Sequence, residues 1–176
     1  EDFNNVVAAL TFTGTAGEAK TFMVANFSGV VVVGNETGTV NLDAVNGLVG
    51  DRETATGTIT YNDDAKVTVE DVSVVEGFGL LFTVTLDKAV QGGTSVNVSL
   101  ADVTATGGVA PLATPEDFNN VVAALTFTGT AGETKSFTVA TFTDLDLEGT
   151  VALTVQLDAD NTLAAHSDTD TVTVTD

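Results

Sequence analysis

Three acids, Asp144, Asp146 and Glu148, alternate within five residues and are the group in this sequence best placed to do chemistry. In an extended chain successive side chains point to opposite faces, so every second residue shares a side. At the start of a strand this spacing gathers the three carboxylates, which repel one another unless water or a cation stands between them. Other acids sit at the ends of expected strands: Glu76 closes one, Asp117 begins another, and Asp63 and Asp64 mark a junction further upstream. Loops that bring these residues to one end of a domain make a pocket lined by carboxylate oxygens alone. Such a pocket suits a hard, large cation with about six to eight oxygen ligands, which is Ca2+ rather than zinc. The plainer alternative is that each acid is a solvated turn residue, and spacing alone leaves both readings open.

Other chemistries find few residues to work with. The chain has no Cys and one His, His166, so neither a nucleophile with its base nor a zinc set can be assembled. No glycine motif stands between a strand and a helix to cradle a phosphate. Trp is absent and Tyr61 is the only Tyr, which leaves no aromatic platform for sugars or single-stranded nucleic acid. Three short patterns for N-glycosylation, at Asn26, Asn35 and Asn97, are of a length that recurs by chance in a chain rich in Thr and Ser. The expectation is a protein that is not an enzyme.

The elements that would position the acids are strands. Apolar residues alternate with small polar ones almost throughout, as in Phe82-Thr83-Val84-Thr85-Leu86 and Val96-Asn97-Val98-Ser99-Leu100. A period of two marks half-buried strands, and Val, Thr and Phe suit the pleated surface. The pattern predicts strands near 66–75, 79–87, 94–101, 121–128, 134–142, 150–158 and 169–175, with four more near 6–13, 19–27, 38–43 and 55–61. Both prolines, Pro111 and Pro115, fall in a loop where no ladder bond is lost. Seven short strands with turns at this spacing indicate an all-β, antiparallel, immunoglobulin-like β-sandwich. A parallel β-helix is disfavoured, because its repeats are far shorter and its glycine-aspartate nonapeptide is missing.

Repetition then sets the domain plan. Residues 116–133 reproduce residues 1–18 letter for letter, 115 positions downstream. The likeness continues through Phe22 and Phe137, Val24 and Val139, and Phe27 and Phe142, then fades. The expected organisation is a tandem repeat in which a complete unit, 65–176, follows the C-terminal half of another, 1–64. A sandwich lacking its first three strands bares a sheet edge and an apolar face. The half unit is therefore expected to be completed by a neighbour or to pack irregularly, which is a route to self-association. A chain that opens in mid-repeat is expected to be a segment of a longer protein.

Charge narrows the partners. Twenty-five acids against five basic residues give a net charge of −20. That field repels nucleic acid and anionic lipid and attracts cations. No apolar run reaches the ~20 residues of a membrane-spanning helix, so direct membrane insertion is not expected.

At these residues the sequence resembles a Calx-β domain. Val72-Ser73-Val74-Val75-Glu76-Gly77 is similar to that family's opening strand with its Glu-Gly, and Phe82-Thr83-Val84-Thr85-Leu86-Asp87 to its second strand. Thr104-Ala105-Thr106-Gly107-Gly108, followed by Asp117-Phe118, resembles its TA-x-x-G loop leading into Asp-aromatic. Leu125-Thr126-Phe127 with Gly132-Glu133-Thr134-Lys135 resembles its hairpin, and residues 144–157 its acidic loop and next strand. The likeness covers 65–176, and residues 1–64 match only the family's second half.

The resemblance implies a two-sheet sandwich found repeated in extracellular proteins and in the regulatory loop of sodium–calcium exchangers. It also implies Ca2+ ligands at Glu76, Asp117, Asp144 and Glu148, with Asp146 as an addition, and makes Asp63 and Asp64 the terminal cluster of the half unit. Departures are Val151, where the family often has a further Glu, and Gly29, Val31 and Val33, which replace the three acids in the half unit. The function expected is a structural spacer repeat of a long bacterial cell-surface adhesin or stalk, stiffened by Ca2+ and flanked by neighbouring repeats. The alternative is a Ca2+-responsive binding or regulatory module. A carbohydrate-binding or hydrolytic domain would need aromatic platforms or paired carboxylates in a cleft.

Overall fold

The structure, a computed structural model, describes residues 3–5, 9–44, 53–109, 116–143, 149–159 and 169–175. Among them every regular element is a strand. First come β1 (Val31–Val32), β2 (Glu36–Asn41) and β3 (Thr54–Ile59). Then follow β4 (Val67–Val69), β5 (Ser73–Val75), β6 (Gly79–Leu86) and β7 (Ala89–Val90). Next are β8 (Thr94–Asp102), β9 (Gly107–Gly108), β10 (Phe118–Asn119) and β11 (Leu125–Phe127). Last are β12 (Thr134–Ala140), β13 (Val151–Ala159) and β14 (Thr169–Thr175). The chain divides into two units, Glu1–Val30 with Asn35–Thr60, and Val31–Gly34 with Tyr61–Asp176.

The larger unit is the sandwich that the alternation predicts. One sheet has the order β11-β8-β13-β14-β5, and the other β12-β6-β4. All neighbours in these two sheets run antiparallel except β14 and β5. Period two buries Leu80, Phe82, Val84 and Leu86 of β6 against Leu153, Val155 and Leu157 of β13, with Val67, Val69, Val172 and Val174 closing the core. Phe82 and Phe137 face each other across β6 and β12 and stack with ring centroids 4.8 Å apart. Such a pair adds about 0.5–1.5 kcal/mol beyond the area it buries.

Three expectations need correction. The run 66–75 is not one strand, because β4 joins β6 in one sheet and β5 joins β14 in the other. The apolar spacing shows why: Val67 and Val69 are in phase, and Val72 and Val74 are in phase, but the step between the pairs is odd. A chain that keeps both pairs inward must cross between sheets at Glu70 and Asp71. Within 121–128 only Leu125–Phe127 forms a strand. In the half unit, residues 9–13 and 19–27 form no strand, and a single antiparallel bridge joins Phe3 to Asn26. Their copies in the sandwich, β11 and β12, take their ladder bonds from β8 and β6. Nothing in residues 1–64 corresponds to those two partners, and strand without partner is not strand.

What the smaller unit does form repeats the larger one's geometry. β2 and β3 pair from Glu36↔Ile59 to Asn41↔Thr54. β13 and β14 pair from Val151↔Val174 to Gln156↔Thr169, the same register displaced by 115 residues. The Phe3–Asn26 bridge likewise matches Phe118–Thr141.

Four two-residue strands, β1, β7, β9 and β10, lie outside the runs that the alternation predicts, and β1 is the one contributed by residues before 65. Val31 and Val32 pair in parallel with Ala89 and Val90, Gln91 N donates to Val32 O at 2.9 Å, and Val32 is 1% exposed. These valines stand where Asp146 and Leu147 stand in the second copy. Exchanging an acidic loop for four consecutive valines removes carboxylates and supplies a β-branched strand that pairs with β7 in a two-stranded sheet of its own.

Candidate functional site

One end of the sandwich is tied together by backbone bonds around two of the predicted ligands. Leaving β5, Glu76 N donates to Thr175 O at the end of β14, at 2.9 Å. The chain then turns through Gly77, whose φ is +77° and whose Cβ, if it had one, would lie 2.5 Å from the Thr143 methyl. Only glycine fits that turn, which presses Glu76-Gly77-Phe78 against the residue before Asp144. Thr141 Oγ1 donates to Phe78 O across the same end.

Asp117 belongs to this end as well. Phe142 N donates to Asp117 O at 2.9 Å, and Asp117 N donates to Thr106 O at 2.8 Å. The Asp117 side chain is 9% exposed, and its Oδ2 accepts the Thr106 amide at 2.6 Å. One carboxylate oxygen is thus spent on closing the loop between β8 and β10, while the group stays held at the sandwich end. Phe118, fully buried beside it, anchors the segment. The backbone therefore brings together Glu76, Asp117, the residue preceding the acidic triplet, and the end of β14. Asp144, Asp146 and Glu148 themselves lie outside the described residues.

Asp63 and Asp64 are placed elsewhere. Both are exposed and precede β4, whose Val67 pairs with Leu86 at the far end of β6 from Gly79. Eight residues of strand separate the two ends, roughly 24 Å at about 3.4 Å per residue. Among the described residues no three Asp, Glu or His side chains cluster closely enough to hold a metal ion. The donor chemistry of Glu76 and Asp117 is oxygen only, which fits a hard cation and no soft one.

Several other carboxylates act as backbone acceptors. Asp102 Oδ1 accepts Gly107 N at 3.0 Å, and Asp87 Oδ1 accepts the Lys66 amide. The most developed case is Glu133. Its Oε2 accepts Thr128 N and Thr128 Oγ1, each at 2.8 Å, and Gly129 N at 3.2 Å, while Oε1 pairs with Lys135 Nζ at 3.1 Å. Desolvation pushes this carboxyl up, but the bonds from Thr128, Lys135 and Thr130 outweigh it and hold the pKa down at about 2. Its copy Glu18 is lowered too, first by Lys20 at 2.9 Å and then by Thr13. In the sequence this turn stands out only by the likeness of Gly132-Glu133-Thr134-Lys135 to the Calx-β hairpin. The signal available was a Glu five residues after a Thr, across two glycines, in both copies.

No family model and no curated protein matches the sequence. Among solved structures, the crystal structure of the apo-form Calx CBD1 domain matches with a TM-score of 0.54 and 18% sequence identity, over 65% of this chain and 98% of that one. That likeness establishes a Calx-β-like fold for the sandwich.

Proposed function

We propose that this chain is part of a structural spacer, a succession of β-sandwich repeats in a long cell-surface adhesin or stalk, with Ca2+ stiffening the acidic sandwich ends. The observation that carries the reading is the recurrence of geometry at a 115-residue offset, namely the register of β2–β3 and β13–β14 and the turns closed by Glu18 and Glu133. A protein whose work is to span distance gains from repeating one rigid unit. The net charge of −20 attracts cations, which agrees with a calcium-rich setting.

Glu76 and Asp117 would hold the ion together with Asp144, Asp146 and Glu148. A bound cation would neutralise carboxylates that otherwise repel. Extracellular modules of this kind bind Ca2+ with Kd on the order of 10⁻⁴ to 10⁻³ M. At a tenfold excess over Kd, the folded state gains about 1.4 kcal/mol. For a unit of this size that raises the unfolding midpoint by roughly 3–6 °C. Thermal unfolding in millimolar Ca2+ and in chelator tests this, and an unchanged midpoint removes the ion from the account. Submicromolar affinity with a Ca2+-dependent change of shape in solution scattering would favour a regulatory module instead.

A further inference from the structure

Residues 31–34 belong by sequence to the first copy of the repeat but by structure to the sandwich. The larger unit takes in Val31–Gly34, while the chain on either side, up to Val30 and from Asn35, lies in the smaller one. The backbone therefore passes between the units at 30–31, at 34–35 and again at 60–61, where a plain linker would pass once. Burial along the segment peaks at one residue: Val30 is 91% exposed, Val31 39% and Val32 1%. Val32 shares the buried core with Ala65 and Val90. The receiving strand is itself fixed, since Val90 N donates to Gly129 O at 2.9 Å and Gly93 N to Val90 O at 3.2 Å. The amide between them, Gln91 N, is the one given to Val32 O.

We infer that the β7 edge is an acceptor site for a short apolar strand, and that its occupant, the valine loop of the preceding repeat, latches one repeat to the next without a metal ion. The occupant is seated there already, as β1. The loop has also lost what an ion would act on: Gly29, Val31 and Val33 stand where the complete unit has its three acids. Charge agrees. Residues 28–34 and 89–93 carry no ionisable side chain, so in a chain of −20 they can meet where most other surfaces repel. The mode is strand addition, in which main-chain bonds give affinity and a side chain filling an apolar site, here Val32, gives specificity. Domains joined by a single linker move relative to one another by default, and a second anchored stretch of chain removes that freedom. β7 directly follows β6, at the sandwich end away from Glu76, so the latch and the proposed ion site are separate. The inference rests on the spacer reading but not on the ion.

The Gln91 amide makes the test specific, because it reports the latch while the neighbouring Val90 amide reports the sandwich. The full chain is studied by NMR in chelator, reading amide exchange at both residues and the rotational correlation times of β2–β3 and of β6 with β13. In wild type the Gln91 amide should be protected, and the two regions should tumble with one correlation time. Val32→Asp should speed Gln91 exchange by about tenfold or more, leave Val90 protected, and shorten the correlation time of 36–41 and 54–59 below that of the sandwich. Val32→Ala, which keeps the core apolar and the sandwich folded, should move both readouts in the same direction by less. An unprotected Gln91 in wild type, or two correlation times in wild type, overturns the inference. So does a single correlation time that persists in the Val32 variants once Gln91 has lost its protection, since something other than the latch would then hold the joint. A failed latch leaves the spacer reading on the recurring register of β2–β3 and β13–β14, and the calcium reading on the unfolding midpoint.

Discussion

Glu133 Oε2 lies 2.8 Å from both the amide nitrogen and the hydroxyl of Thr128, and Glu18 Oε2 takes the same two donors from Thr13 at 2.7 and 2.9 Å. The glycines inside the two turns also agree, with φ of +91° and +78° at Gly14 and Gly17, and +95° and +74° at Gly129 and Gly132. In the sandwich the turn joins β11 to β12, but in the half unit it joins segments that are not strands. The turn is therefore built by its own side chain and does not need a sheet to form it.

Glu133 makes that turn pH-dependent. Its folded-state carboxyl is depressed from 4.5 to about 2, so the stability it contributes is complete above the unfolded value and is lost as pH falls toward about 2. Glu133→Gln should lower the unfolding midpoint at neutral pH. The gap between variant and wild type should narrow as pH drops from about 5 to about 2, which thermal melts across that range will show.

Val32 reports on the unexpected strand. It is 1% exposed and packed in the sandwich core beside Val90. Val32→Ala removes the equivalent of two buried methylenes and should cost about 1.6 kcal/mol. Val30→Ala, at a residue 91% exposed, should cost nothing measurable. Denaturant unfolding of both variants distinguishes a strand built into the core from a loosely held one.

Gly38 and Gly57 explain why the half unit's hairpin is thin. They stand opposite each other at the positions of the fully buried Leu153 and Val172. A Cβ at Gly38 would meet only the Phe3 ring, at 3.5 Å, and one at Gly57 only the Gly38 carbonyl, at 4.0 Å. Replacing both with Val should stabilise β2–β3 by about 0.5–1 kcal/mol per site. Slower amide exchange in 36–41 and 54–59 would register the gain.

Asp117 separates a structural carboxylate from a ligand. Asp117→Asn keeps an oxygen for the Thr106 amide and should leave the chelated protein's midpoint nearly unchanged while reducing its response to Ca2+. Asp117→Ala also loses the bond and should cost about 1–2 kcal/mol without any ion.

The sandwich was legible because β6, β8, β13 and β14 alternate cleanly, and alternation reports one buried face. The sheet switch at Glu70 and Asp71 was written in the odd step from Val69 to Val72, but a run of apolar letters reads as one strand unless phase is followed. The strands expected at 6–13 and 19–27 carry the right pattern and fail for want of partners, over the residues described, since pattern is local and pairing is not. The end-of-sandwich grouping of Glu76 and Asp117 followed from the resemblance. Asp117's bond to Thr106 did not, because a carboxylate that closes a loop and one that binds a cation look alike in sequence.

The central claim is that the acidic end binds Ca2+, and calorimetric titration of CaCl2 into the chelator-treated chain tests it most directly. The account predicts saturable binding with Kd on the order of 10⁻⁴ to 10⁻³ M, abolished when Asp117→Asn is combined with Asp144→Asn and Glu148→Gln. Heats no larger than dilution, or binding undiminished in that triple variant, would contradict it.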